Sequence, residues 1–219
     1  MNKKILGFII IVVILLFVVA PFTFRDQIQS IVSLFSQDSD DHSNDQEPGS
    51  DLNLVDSDIP RVFDENLCHF FVTPNDPSVV SLKNEILQDN IALLTPDWMA
   101  LRDWVGARIE YVSDSVIHNE TEYWQFSNET LHLETGDCED FSILLCSLLR
   151  SNGWASDSVY VVIGEQNNQY HAWVRLIYEG RPYNIEPQSG GFDIVIGDYL
   201  NLSGFNAICF FNDQEFVAL

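Results

Sequence analysis

At 219 residues with 46% hydrophobic side chains, 15 Phe, 7 Tyr and 5 Trp, the chain has the composition of a packed domain and excludes a wholly disordered or fibrous one. Its 33 Asp and Glu against 10 Lys and Arg give a formal net charge of −23 at pH 7. Such a field repels phosphate backbones, so nucleic acid is excluded as a partner; the acid excess fits adaptation to high salt as well as any role in binding.

Residues 5–24 (ILGFIIIVVILLFVVAPFTF) carry no charge and as a helix reach roughly 30 Å, the thickness of a bilayer core. The pattern predicts a transmembrane signal anchor over 1–25. Lys3 and Lys4 precede the run and Arg25 follows it, which favours a cytoplasmic amino terminus and an extracytoplasmic remainder. A cleaved signal peptide is the rival reading; the run exceeds the usual h-region, and no small-x-small cleavage site follows Ala20-Pro21. Ile28, Ile31, Val32 and Phe35 then make a short helical stripe. Residues 37–59 hold eight acidic residues and no Lys or Arg, the composition of a solvated tether. The domain boundaries expected are therefore 1–25, 26–59 and 60–219.

Helices are expected over 78–90 and 96–112, the second opened by Thr95-Pro96-Asp97 and carrying Trp98, Leu101, Val105 and Ile109 on one stripe. Residues 113–130 read as a long polar loop. It contains two of three N-x-S/T sequons, Asn119 and Asn128; the third is Asn201. The four cysteines, Cys68, Cys138, Cys146 and Cys209, match no common zinc spacing, so no metal site is expected. Cys146 lies among leucines and reads as a small core hydrophobe. On the predicted external side, Cys68 and Cys209 can pair as a disulfide, leaving Cys138 free.

Phe141, Leu144, Leu145 and Leu148 fall at helical spacing, and Asn152-Gly153 supplies a stop. Cys138 thus stands at the start of a helix, where unpaired N–H groups and the positive dipole end favour thiolate. Strands follow at 158–163 and 170–178, then a Glu179-Gly180 turn and a third strand over 182–187. A two-residue type I′ turn pairs Tyr178 with Arg181 and sets Glu186 opposite Trp173, with His171 as its diagonal neighbour on the same face. A loop two residues longer would pull the two apart, and an odd loop would put them on opposite faces. Residues 207–211 read as a final strand.

A thiol, an imidazole and a carboxylate in this arrangement suit nucleophilic acyl chemistry. Cys138 attacks a carbonyl, His171 pairs with the thiolate and protonates the leaving group, and Glu186 orients the imidazole. The helix start adds a backbone N–H for the oxyanion. Each residue also has a structural reading: a buried thiol, a strand histidine, an exposed strand-end acid.

The order Gly136-Asp137-Cys138-Glu139-Asp140-Phe141, His171-Ala172-Trp173-Val174 and Glu186-Pro187 resembles the transglutaminase-like superfamily, particularly its microbial cysteine-peptidase-like members. Trp104-Val105, Ile109-Glu110-Tyr111 with Asp114, and Trp124-Gln125 with Glu129-Thr130-Leu131 extend the resemblance upstream to cover about 95–190. It implies an α+β, papain-like core with the nucleophile helix packed on an antiparallel sheet. It also implies thiol acyl transfer on protein, peptide or cell-wall-type amides, without metal or organic cofactor. Trp124 or Gln125 is the candidate for oxyanion support and Asp140 for bonding the loop before the cysteine. Glu186 stands where the family usually has Asp. The expectation is a membrane-anchored extracytoplasmic thiol enzyme, hydrolytic rather than cross-linking. Two alternatives stand beside it: a catalytically silent module of this fold that binds peptide or glycan, and a disulfide-stapled structural ectodomain.

Overall fold

A computed structural model describes residues 59–90, 95–189, 194–196 and 204–219. The apolar run, the acidic tether and Asn201 lie outside the described residues. Among the described residues no helix is long and apolar enough to cross a membrane.

A 3₁₀ turn at Cys68–Phe71 is followed by α1 (Pro77–Asn90), α2 (Asp97–Arg108), β1 (Glu110–Tyr111), α3 (Asp114–Ile117), α4 (Ser127–Leu133), β2 (Thr135–Gly136) and α5 (Cys138–Ser151). The strands β3 (Val159–Gln166), β4 (Gln169–Tyr178), β5 (Arg181–Ile185), β6 (Ile194–Ile196), β7 (Phe205–Phe211) and β8 (Phe216–Ala218) complete the chain. They form one antiparallel sheet in the order β6-β5-β4-β3-β7-β8, while β1 and β2 make a separate parallel pair.

The helix α5 is buried from Glu139 to Leu149. Its Phe141, Leu144, Leu145, Leu148 and Leu149 share one core with Val159, Val161, Val174 and Leu176 of the sheet and with Trp98, Leu101 and Val105 of α2. Each such side chain contributes about 1.5–3 kcal/mol on burial, so this layer fixes where the start of α5 lies relative to β4. The alternate residues Val162 and Trp173 pack with Tyr160, Ala207 and Phe210 in a smaller cluster on the opposite face, as period-two strands require.

Between β4 and β5, Glu179 and Gly180 both have positive φ, 51° and 72°, the signature of a type I′ turn. Tyr178 pairs with Arg181 and the register runs to Val174 opposite Ile185, which is the pairing the two-residue turn predicts.

Elsewhere the sequence pattern needed revision. The stripe of α2 runs on through Ile109, yet the helix ends at Arg108 because Glu110 and Val112 donate their N–H groups to Glu134 and Gly136 carbonyls, each at 2.9 Å. Tertiary pairing overrides the local period there. The segment 113–130, expected as one loop, contains α3 and the start of α4. The expected strand at 207–211 begins at Phe205 and is followed by a further strand, β8. Cys68 and Cys209, which the sequence left able to pair, are free and buried. Burial pushes their thiols up to about 12 and about 11, which suppresses the thiolate that disulfide formation needs.

Candidate active site

The start of α5 is held by a carboxylate three residues along. Asp137 at the N-cap donates its backbone N–H to Asp140 Oδ2 at 3.1 Å, the reciprocal half of a capping box. The other oxygen of Asp140, Oδ1, accepts the Gln125 N–H at 2.8 Å. Gly136 is packed so closely that a Cβ there would come 2.7 Å from Asp140 Cβ and 2.8 Å from its Oδ2. Glycine is required because the carboxylate occupies the space beside it.

The residues before α4 are strung along successive backbone donors. Tyr123 N–H reaches Asp114 Oδ2 at 2.6 Å, Trp124 N–H the Arg61 carbonyl at 2.9 Å, Gln125 N–H Asp140, and Phe126 N–H Glu129 Oε2 at 2.8 Å. Arg61 in turn pairs with Glu129 at 2.5 Å and lies over the Phe126 ring at 4.3 Å. This stretch of chain therefore ties the amino-terminal strap, Asp114 and α5 together.

Cys138 is half-buried and its thiol donates to Glu139 Oε2 at 3.3 Å. It also interacts electrostatically with the His171 imidazole. His171 Nε2 lies 2.5 Å from Glu186 Oε2, with the two side chains only 14% and 15% exposed. The three residues read from the sequence thus lie together: the imidazole is bonded to the carboxylate and interacts with the thiol. Burial alone would lower the His171 pKa, but the bonds to Cys138 and Glu186 together outweigh it and raise it to about 9. Trp173 stacks alongside, its ring 6.2 Å from that of His171, and its indole N–H goes to Asn184 Oδ1 at 3.1 Å.

The two residues considered for oxyanion support part company. Trp124 is core: it stacks on Phe211 at 5.7 Å and spends its indole N–H on Glu122 at 2.7 Å, which withdraws it from the oxyanion role. Gln125 is fully buried, its amide Nε2 3.3 Å from His118 Nε2 and its Oε1 without a partner. Asp140 stands where the sequence reading put it, bonding the loop before the cysteine.

One group escaped that reading. Asp114, Asp137, Glu139 and Asp140 each bring a carboxylate oxygen within 4.8 Å of the others. Asp114 Oδ1, Asp137 Oδ1 and Glu139 Oε1 are buried without a hydrogen-bond partner. Burial pushes Asp114 up to about 6 and raises Glu139 and Asp140 well above the usual carboxylate range. Four acids spread over positions 114–140 carry no local metal spacing, so sequence signals reduce to their lack of nearby basic residues. Only folding brings Asp114 to the others. Tyr111, 57% exposed, flanks the same place through its pairing with Gly136.

A family model described as the transglutaminase-like superfamily matches residues 87–187. Comparison with curated proteins gives no match. Among solved structures, Legionella pneumophila LapG in an EGTA-treated form is similar with a TM-score of 0.50 at 15% identity, covering 73% of this chain and 88% of LapG. A calcium-bound form of the same protein gives 0.48 at 18% identity, covering 64% and 78%. A Cytophaga hutchinsonii protein gives 0.44 at 18% identity, covering 68% and 47%.

The raised His171 pKa has a defined sign. A group whose folded pKa exceeds its unfolded value of 6.5 adds stability that is full below that value and is lost as pH rises through about 9. Proton NMR of the His171 ring is expected to show a midpoint near 9 in the native chain. Glu186→Gln is expected to move it down, by removing one of the two raising partners. A midpoint at or below the ordinary histidine value in the native chain would contradict this geometry.

Proposed function

We propose, from the match of residues 87–187 to the transglutaminase-like superfamily, that the chain is a thiol enzyme of that superfamily that hydrolyses amide bonds in proteins or peptides. The carrying observation is that one imidazole, His171, lies 2.5 Å from Glu186 and interacts with Cys138 strongly enough to raise its pKa. This is the arrangement that keeps a thiolate and an imidazolium together. The amino-terminal apolar run and acidic tether favour a membrane-anchored enzyme, with the domain from residue 60 onward held outside the membrane.

The reaction follows from these groups. The Cys138 sulfur forms a bond to the amide carbon and the oxyanion is received by backbone N–H at the start of α5. His171 then delivers its proton to the amine as the C–N bond breaks, leaving a thioester. Water next attacks that thioester; His171 takes the water proton and keeps it as the Cys138 thiolate departs, which restores the starting ion pair. Glu186 keeps the ring oriented and stabilises its charged form.

The acids around the nucleophile fit a hard divalent cation of the calcium type. Three buried carboxylate oxygens without partners, on Asp114, Asp137 and Glu139, with Asp140 beside them, form an all-oxygen donor set. A bound cation would supply positive charge there and offset the cost of gathering acids beside a thiolate. Asp137, Glu139 and Asp140 flank the cysteine, so their order governs how rigidly the start of α5 is held.

Incubation of the full chain with a peptide library, followed by acid quench and mass spectrometry, is expected to find a thioester on Cys138 and cleaved products. Cys138→Ala is expected to lose about 10⁴-fold or more in turnover, and Glu186→Gln to lose less than His171→Ala. Products that persist undiminished in Cys138→Ala would sink the reading. Separately, calcium at about 100 times its dissociation constant is expected to raise native stability by about 2.7 kcal/mol, read as a thermal shift. Asp114→Asn is expected to diminish that shift. No shift in the native chain would contradict the cation site.

A further inference from the structure

The carboxylates are not the only ligand set at the start of α5. Asp137, Cys138 and Glu139 each offer one ligand atom, and these lie within 4.8 Å of one another. Cys138 Sγ is 3.3 Å from Glu139 Oε2. Glu139 is 5% exposed and its Oε1 has no partner; Asp137 Oδ1 is likewise buried and unpartnered. Beyond the interaction the two carboxylates share, these two oxygens have no donor among the described residues, and a thiol stands between them in sequence.

We propose that Asp137, Cys138 and Glu139 form a second, inhibitory metal site for a thiophilic divalent cation such as zinc, whose capture blocks the nucleophile. The donor chemistry discriminates between metals. Calcium takes oxygen ligands and gains nothing from sulfur, whereas zinc binds thiolate and carboxylate together and accepts three protein ligands with a position left open. Asp137 and Glu139 belong to both ligand sets, so a cation on the four carboxylates and zinc on the thiol exclude each other. On binding, a zinc–sulfur bond forms and the thiol proton passes to solvent. No electron is transferred, and removal of the metal with a chelator returns the proton. The inhibitory consequence rests on the reading of Cys138 as nucleophile; the metal site itself does not.

Cobalt is the probe, because its thiolate complexes absorb where its oxygen complexes do not. Titration of the metal-free full chain with Co²⁺ is expected to produce a thiolate-to-cobalt charge-transfer band in the near ultraviolet. The band is expected to be absent in Cys138→Ser and to need about tenfold or more cobalt in Glu139→Gln. Excess calcium is expected to abolish it in the native chain but not in Asp114→Asn, where the competing carboxylate set is broken. Zinc is expected to slow alkylation of Cys138 by about tenfold or more, and a chelator to restore it. Circular dichroism establishes that each variant is folded; if Glu139→Gln is not, Cys138→Ser decides. Absence of the band in the native chain, its survival in Cys138→Ser, or its indifference to calcium would each overturn the proposal. A cobalt–thiolate band in a chain that never forms a Cys138 thioester would refute the enzymatic reading and leave the site standing. A thioester without the band would do the reverse.

Discussion

The buried carboxylate of Asp140 is the constraint on which the rest of the site depends. It accepts N–H groups from two separate stretches of chain, Asp137 at the cap of α5 and Gln125 before α4. It does so within a space that only Gly136 leaves open. Removing a buried acceptor from two donors leaves both unsatisfied, at roughly 1–3 kcal/mol each, so the sequence Gly-Asp-Cys-Glu-Asp is a folding instruction in its own right. The cap orients the first turn of the helix, and the first turn carries the thiol.

Against that gain stands the cost of concentrating acids. Asp114, Asp137, Glu139 and Asp140 lie together, largely out of water, next to a sulfur whose reactive form is itself negative. Protonation or a bound cation relieves this repulsion; an apolar surround would not. On the far side of the sulfur the balance is reversed. His171 is held charged by two partners despite its burial, which places a cation next to the thiol without a lysine or arginine. The negative and positive sides of Cys138 are thus built from different parts of the fold, the helix start and the β4–β5 hairpin.

The hairpin's register was legible in the sequence because it follows from integers, a two-residue turn and period-two side chains; its last strand, expected to run to residue 187, ends at Ile185 before a 3₁₀ turn. The core face of α5 was legible for the same reason, with a period of 3.6. What escaped were features set by contacts between distant segments. The end of α2 is decided by the pairing of Glu110 and Val112 with residues 134 and 136, which no local pattern contains. Trp124 looked available to the site, but its ring is used by Phe211 and its N–H by Glu122. Cys68 and Cys209 suited a disulfide by compartment and position, whereas burial leaves both as thiols. Asp114 joins the acids beside Cys138 only through the fold, so a cation site assembled from 114 and 137–140 has no sequence spacing to betray it.

The central claim is that the His171–Glu186 pair makes a reactive thiolate of Cys138. The most direct measurement is the rate of Cys138 alkylation by iodoacetamide across pH, followed residue by residue with mass spectrometry in the full-length chain. The account predicts rapid labelling of Cys138 near neutral pH, with Cys68, Cys146 and Cys209 unreactive, and a marked slowing in His171→Ala. Slow labelling of Cys138 that tracks an ordinary thiol and is unchanged in His171→Ala would contradict it.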